Sequence, residues 1–157
     1  MTSPAVDLQR AIHSLLTADA GLVAKLGGQK VFDATPPNAT FPYVSFGRTS
    51  IYDWSTGTES GTEHLFTVHV WSKAKGKTET LEIMETIRQL IDAAPKELDG
   101  HTLVNMTLEF AEARYDEDLS VHHGLLRFRA VTEPVGQSDG GGSSTYWPEF
   151  SPPPLTF

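Results

Sequence analysis

Between Lys77 and Pro95 apolar side chains return every three or four residues, at Thr80, Ile83, Met84, Ile87, Leu90, Ile91 and Ala94, with Leu81 at the edge of the stripe. That spacing predicts a helix over 78–94 with one apolar face, ended by Pro95. Such a helix needs an apolar surface to lie on, and the flanking sequence supplies sheet patterns on both sides. Glu63 to Ser72 alternates, with His64, Phe66, Val68 and Val70 on one face and Leu65, Thr67, His69 and Trp71 on the other. Both faces have apolar character, which marks a central strand. After a turn at Asp99-Gly100, Val104, Met106, Leu108 and Phe110 alternate with Leu103, Asn105, Thr107 and Glu109, predicting a strand whose buried face is the first set. A final strand, His122 to Glu133, places Leu126, Phe128 and Ala130 inward and Leu125, Arg127, Arg129 and Val131 on the other face.

The N-terminal third adds two helices and two strands. Ser3 followed by Pro4 is a helix start, the hydroxyl capping and the proline at the first helical position. Leu8, Ile12, Leu15 and Leu16 then form a stripe to about Ala18, with Asp7, Gln9 and Arg10 off it. Asp19 caps a second helix, Ala20 to Leu26, stopped by Gly27-Gly28. Lys30 to Ala34 reads as a short strand, Thr35-Pro36-Pro37-Asn38 as a loop, and Phe41 to Tyr52 as a strand beginning at its proline. A polar loop carrying Trp54 spans Asp53 to Thr62, and a basic turn spans Lys73 to Lys77. Strands joined through polar loops, with helices before and between them, predict an α+β domain: a mostly antiparallel sheet of four to five strands with helices on one face.

Composition changes abruptly at Pro134, which divides the chain into a body over 1–134 and a segment over 135–157. That segment has no Lys or Arg and contains Gly136, Gly140, Gly141, Gly142, Pro148, Pro152, Pro153 and Pro154, a pattern incompatible with a helix or a central strand. Gly140 to Ser144 reads as a linker. Tyr146, Trp147, Phe150, Leu155 and Phe157 make the remainder an aromatic arm, too apolar for a tail that never meets a surface.

The 157 residues carry 12 Lys+Arg against 20 Asp+Glu, a formal charge of -8. Asp139 and Glu149 place -2 of this in the arm and leave -6 in the body. An acidic balance argues against coating nucleic acid through its phosphates. No cysteine is present, which excludes disulfides, thiol nucleophiles and thiolate zinc sites. No apolar run is long enough to span a bilayer, and Met1 to Asp7 does not resemble a secretory signal, so the expectation is a soluble protein of a reducing compartment, without membrane partners.

Motifs that carry chemistry are missing. His122 and His123 are adjacent on a strand and point to opposite faces, as do His64 and His69; a cross-strand pair such as His64 with His122 has no carboxylate at a supporting spacing. The acidic group Glu109, Glu112, Asp116, Glu117 and Asp118 lacks the central glycine of a calcium loop and reads as a solvated loop. Gly76-Lys77-Thr78 imitates only the end of a phosphate-binding loop, with Trp71 where its first glycine belongs. No catalytic residue, cofactor site or metal site is expected.

The order of segments nevertheless resembles a family. Asp7-Leu8-Gln9-Arg10-Ala11-Ile12, then Leu15-Leu16 and Asp19, Lys30-Val31-Phe32-Asp33 before a proline turn, and Phe41 to Gly47 are followed by His69-Val70-Trp71-Ser72 ahead of a lysine-glycine turn. The helix with Ile83 to Ile91 and the closing Gly124 to Glu133 complete the pattern. Over residues 5–133 this is similar to the tail terminator, or tail completion, proteins of long-tailed phages and gene transfer agents.

The resemblance implies a non-enzymatic virion protein, assembled in the host cytoplasm. Its homo-oligomer would be a hexameric ring that caps the tail tube protein at the head-proximal end, stops polymerisation and joins the head-tail connector, a stopper or adaptor protein. A ring subunit needs two unlike contact faces. Exposed strand edges, the Trp54 loop and the arm residues Tyr146, Trp147, Phe150, Leu155 and Phe157 are the candidates. Six copies at -8 each would carry -48, and Asp116, Glu117 and Asp118 are candidates to face a lumen that DNA passes without specific binding. Other readings of the same sequence are a stopper at that junction, or a small α+β enzyme or ligand-binding module with an unfamiliar site.

Overall fold

The computed structural model of the chain describes residues 3–135. Helix α1 (Pro4–Ala18) opens on Ser3, whose hydroxyl accepts from the backbone N–H of Ala5 at 3.2 Å and of Val6 at 3.4 Å. Helix α2 (Ala20–Leu26) opens on Asp19, which accepts from the Leu22 N–H at 2.9 Å, and closes on Gly27 at φ 81°, a region glycine enters without a Cβ clash. Then follow β1 (Val31–Phe32), β2 (Tyr43–Asp53), β3 (Thr62–Ser72), α3 (Thr78–Asp92), β4 (His101–Asp116) and β5 (Val121–Pro134). The Phe41–Pro42 peptide ahead of β2 is cis. One five-stranded sheet results, in the order β1-β2-β3-β5-β4, with β1 and β2 parallel and every other pair antiparallel. The fold is α+β with a mostly antiparallel sheet, as expected, and β3 is its middle strand.

All three helices lie on one face. Leu8, Ile12 and Leu16 of α1, Leu22 and Leu26 of α2, and Ile83, Met84, Ile87 and Ile91 of α3 are buried against Val44, Phe66, Val68, Val70, Leu126, Phe128 and Ala130. Each large side chain moved from water contributes roughly 1.5–3 kcal/mol. The rings of Phe66 and Phe128, opposite each other on β3 and β5, stack at 5.3 Å. Packing is close where α3 crosses β5: a Cβ on Gly124 would stand 2.6 Å from Met84 Sδ and 2.8 Å from Thr80 Cγ2.

Two sequence expectations fail here. Val104 and Phe110 are exposed and Leu103 is buried, because register shifts between Leu103 and Asn105 and between Leu108 and Phe110 each insert an extra residue and break the period-two alternation. Asp7, expected off the α1 stripe, is only 2% exposed: its Oδ2 accepts from the Gly100 N–H at 2.8 Å and pairs with His101 Nδ1 at 2.7 Å. Burial by itself pushes the Asp7 carboxyl up, but the hydrogen bonds from His101 and Gly100 outweigh it and hold it below the usual carboxylate value.

Candidate functional site

With every helix on one face, the residues opposite one another in the ladders assign the other face. Tyr43 and Ser45 of β2, Leu65, Thr67, His69 and Trp71 of β3, and His123, Leu125, Arg127 and Arg129 of β5 all project there. At one end this face carries an aromatic and histidine ladder. The Trp71 and His123 rings stack at 4.0 Å and within 2° of parallel, and Tyr43 lies 6.4 Å beyond Trp71. His69 Nδ1 and His123 Nε2 are 2.7 Å apart, so one donates to the other, and Trp71 Nε1 donates to Ser45 Oγ at 3.1 Å. Gly47 makes room for this: a Cβ there would lie 2.2 Å from His69 Nε2. Lys73 caps the end over the Phe41 ring at 4.8 Å.

Burial lowers the basicity of both ladder histidines; His123 is lowered further by His69 and Arg114, against a smaller opposing effect of Asp116 and Glu112. Two neutral imidazoles sharing one hydrogen bond form a structural pair. The pairing actually made is His69 with His123, on the face away from the helices, while the cross-strand combination of His64 with His122 does not form. His64 instead lies in the core, with Nε2 2.9 Å from Thr132 Oγ1 and Nδ1 without a partner among the described residues. Among the described residues, no three His, Asp or Glu side chains are placed to share a metal ion.

Farther along the same face, Arg129 is ion-paired with Glu63, and Arg127 stands 5.4 Å over the Phe110 ring. The loop from Trp54 to Gly61 closes this end. The Trp54 N–H donates to the Gly61 carbonyl at 2.9 Å, and the half-buried indole leaves Nε1 without a partner among the described residues. Trp54 is therefore partly packed inside the subunit.

The sheet also ends in two unlike edges. Beside β2, a groove of about 520 Å³ separates the strand from α1, lined by Val6, Arg10, His13, Asp33, Phe46 and Ile51 among others. At the other side β4 is the edge strand, bridged near its start by Glu97 opposite Thr102, and turns into β5 at Glu117–Ser120. Glu112 and Asp116, read as loop residues from the sequence, stand on this strand with Glu109, while Glu117 and Asp118 occupy the turn. In that turn Asp116 Oδ1 accepts from the Leu119 N–H at 3.1 Å and Ser120 takes φ 56°. Tyr146, Trp147, Phe150, Leu155 and Phe157 lie outside the described residues.

The ladder was only partly visible in sequence, as apolar character on both faces of β3; its second half comes from β5, and no local pattern links the two.

Comparison with known proteins places this geometry. No functionally curated protein matches the chain. A chain in a solved structure described as the virion of a native gene transfer agent particle is 32% identical, with a TM-score of 0.76 over 85% of this chain and 99% of that one. A family model described as tail completion protein gp17 matches residues 10–133, which run from within α1 to within β5. The chain belongs to the tail completion protein gp17 family.

Proposed function

We propose that the chain is a structural protein of a phage-like tail. Six copies close into a ring at the head-proximal end, stop growth of the tail tube and join the tail to the head connector. The observation that carries this reading is the family match over 10–133 together with the 32% identity to a gene transfer agent virion chain. A closed ring requires two different contact surfaces per subunit, and the sheet offers them in its two unlike edges. The hairpin acids Asp116, Glu117 and Asp118 face the lumen in this reading and keep DNA phosphates from adhering. Trp54 and the arm residues Tyr146, Trp147, Phe150, Leu155 and Phe157, all but Trp54 beyond the matched segment, contact neighbouring proteins.

The test is a particle-producing strain lacking this gene. Electron microscopy is expected to show tails of uncontrolled length without heads, and complementation with a tagged chain is expected to put the label at the head-tail junction. Tails of normal length joined to heads in the deletion strain would refute the proposal.

A further inference from the structure

We infer that the ring contact is a continuation of the β-sheet, in which the β4 edge of one copy lies antiparallel to the free edge of β2 in the next. This rests on the ring reading above. Strand β1 pairs with β2 only at Val44 and Ser45, so the outer edge of Phe46–Asp53 has no strand partner among the described residues. The outer edge of β4 is bridged at its start, where Glu97 pairs with Thr102, and has no strand partner among the described residues from Val104 to Asp116. Unpaired backbone donors and acceptors on an edge are a template for another strand.

What lies along the two edges indicates a second copy of this chain as the occupant. Exposed large apolar side chains collect there: Val6, Ile51 and Tyr52 beside the groove, and Val104, Phe110, Tyr115 and Leu119 on β4 and its turn. Charge is complementary as well. Arg10 and Arg48 are exposed on the β2 side, and Glu109 and Glu112 on the β4 side, against the opposing Asp33 and Arg114.

Direction and row agree. Within the sheet β2 and β4 run antiparallel to one another, and rotation about a ring axis that runs close to the strand direction preserves that relation between neighbours. Phe46 is in one row with Val68, Leu126 and Ala111, and Thr49 with Phe66, Phe128 and Leu108. Between those rows stand the bulge residues Gly47 and Arg48 on β2 and Glu109 and Phe110 on β4. We place Arg48 of one copy level with Glu109 of the next, the register in which the rows of the two copies run in line.

Neither Arg48 nor Glu109 makes a hydrogen bond or ion pair among the described residues, so reversing either charge leaves the subunit intact. Native mass spectrometry of the full chain, alone and with tail tubes, is expected to show rings for wild type and about 10-fold weaker assembly for Arg48→Glu or Glu109→Arg alone. The double variant recovers rings, and an equal mixture of the two single variants gives rings holding equal numbers of each. Because the chain has no cysteine, Arg48→Cys with Glu109→Cys adds a direct readout. The two positions lie roughly 14 Å apart across three strand spacings within a copy, too far for a disulfide, so an oxidised ladder ending at the ring size reports contact between copies. Wild-type rings with intact single-variant rings, or with no ladder, overturn this contact alone. A wild-type chain that stays monomeric on tail tubes overturns the ring reading and this contact with it.

Discussion

His64 is fully buried in the core, with Thr132 Oγ1 2.9 Å from Nε2. Burial first, and then the neighbouring His101, push its pKa down to about 4 from the ordinary 6.5. Between those values the unfolded chain binds a proton that the folded chain does not, so stability rises with pH across this window and falls as pH drops through it. From the two pKa values, the wild-type protein loses about 2 kcal/mol by pH 5 and about 3 kcal/mol by pH 4 through this one residue. The perturbation is His64→Leu, which cannot titrate. It leaves the Thr132 hydroxyl without its partner, at a cost of about 1–2 kcal/mol at pH 7. The two stability curves therefore cross near pH 5, the variant being less stable above and more stable below. Urea denaturation of both proteins from pH 7 to pH 4, at a concentration where both are monomeric, measures the difference. The window is distinct from that of Asp7: its carboxyl lies below the usual value, so its stabilising contribution is lost only as pH falls through that lowered value. Parallel curves for wild type and variant, or a His64 ring that titrates near 6.5 by NMR, would refute the reasoning.

The remaining predictions concern packing, the buried contact of Asp7 with His101 and the arm. Gly124→Ala forces Met84 and Thr80 aside and is expected to cost about 1–3 kcal/mol, read as a lowered thermal midpoint; an unchanged midpoint would show that α3 is not seated as described. Asp7→Asn leaves His101 and the Gly100 N–H without their carboxylate and is expected to cost about 3 kcal/mol by urea denaturation at pH 7, whereas a loss under 1 kcal/mol would contradict a load on this contact. Removal of residues 136–157 is expected to leave the unfolding midpoint of the body unchanged and to weaken assembly; full rings and productive particles from the shortened chain would remove the role proposed for the arm.

Local chemistry was readable in the sequence and long-range chemistry was not. Helix α2 matched at both ends because its signals, an Asp19 side-chain acceptor and a Gly27 in the left-handed region, act within three residues of the backbone they satisfy. The inward face of β3 was legible for the same reason: no bulge interrupts its pairing with β5. Strand β4 was misread because two inserted residues reverse the alternation, and neither Val104 nor Glu109 announces a bulge by residue type. The turn at Glu117–Ser120 contains no glycine or asparagine, so a hairpin tip read as part of a solvated acidic loop. Asp7 was placed outside because its partner, His101, lies 94 residues away. The ladder of Trp71, His69 and His123 likewise required the register between β3 and β5 before its rings could be brought together.

The same register bears on why a chain with two open edges would form a ring rather than a twofold pair. Free edges attract copies of themselves, and a bulge or a charge on the edge is what discourages it. Both edges of this sheet carry a bulge, at Gly47–Arg48 on β2 and at Val104 and Glu109 on β4. An isologous pairing of two β4 edges centred on Glu109 would set it against Glu109 of the other copy, and a pairing of two β2 edges centred on Arg48 would oppose Arg48 to Arg48. In those registers like charges face each other and disfavour the pairing. Only the unlike pairing of β4 with β2 sets Glu109 against Arg48, and an unlike pairing is the heterologous kind that closes by rotation. Exposed charges of this sort are screened within about 8 Å at physiological ionic strength, so their share of the contact weakens as salt rises while the apolar share from Val6, Ile51, Tyr52 and Phe110 remains. In the proposed contact the charges would favour the meeting of β4 with β2, and the apolar groove and backbone hydrogen bonds would hold the edges once they had met.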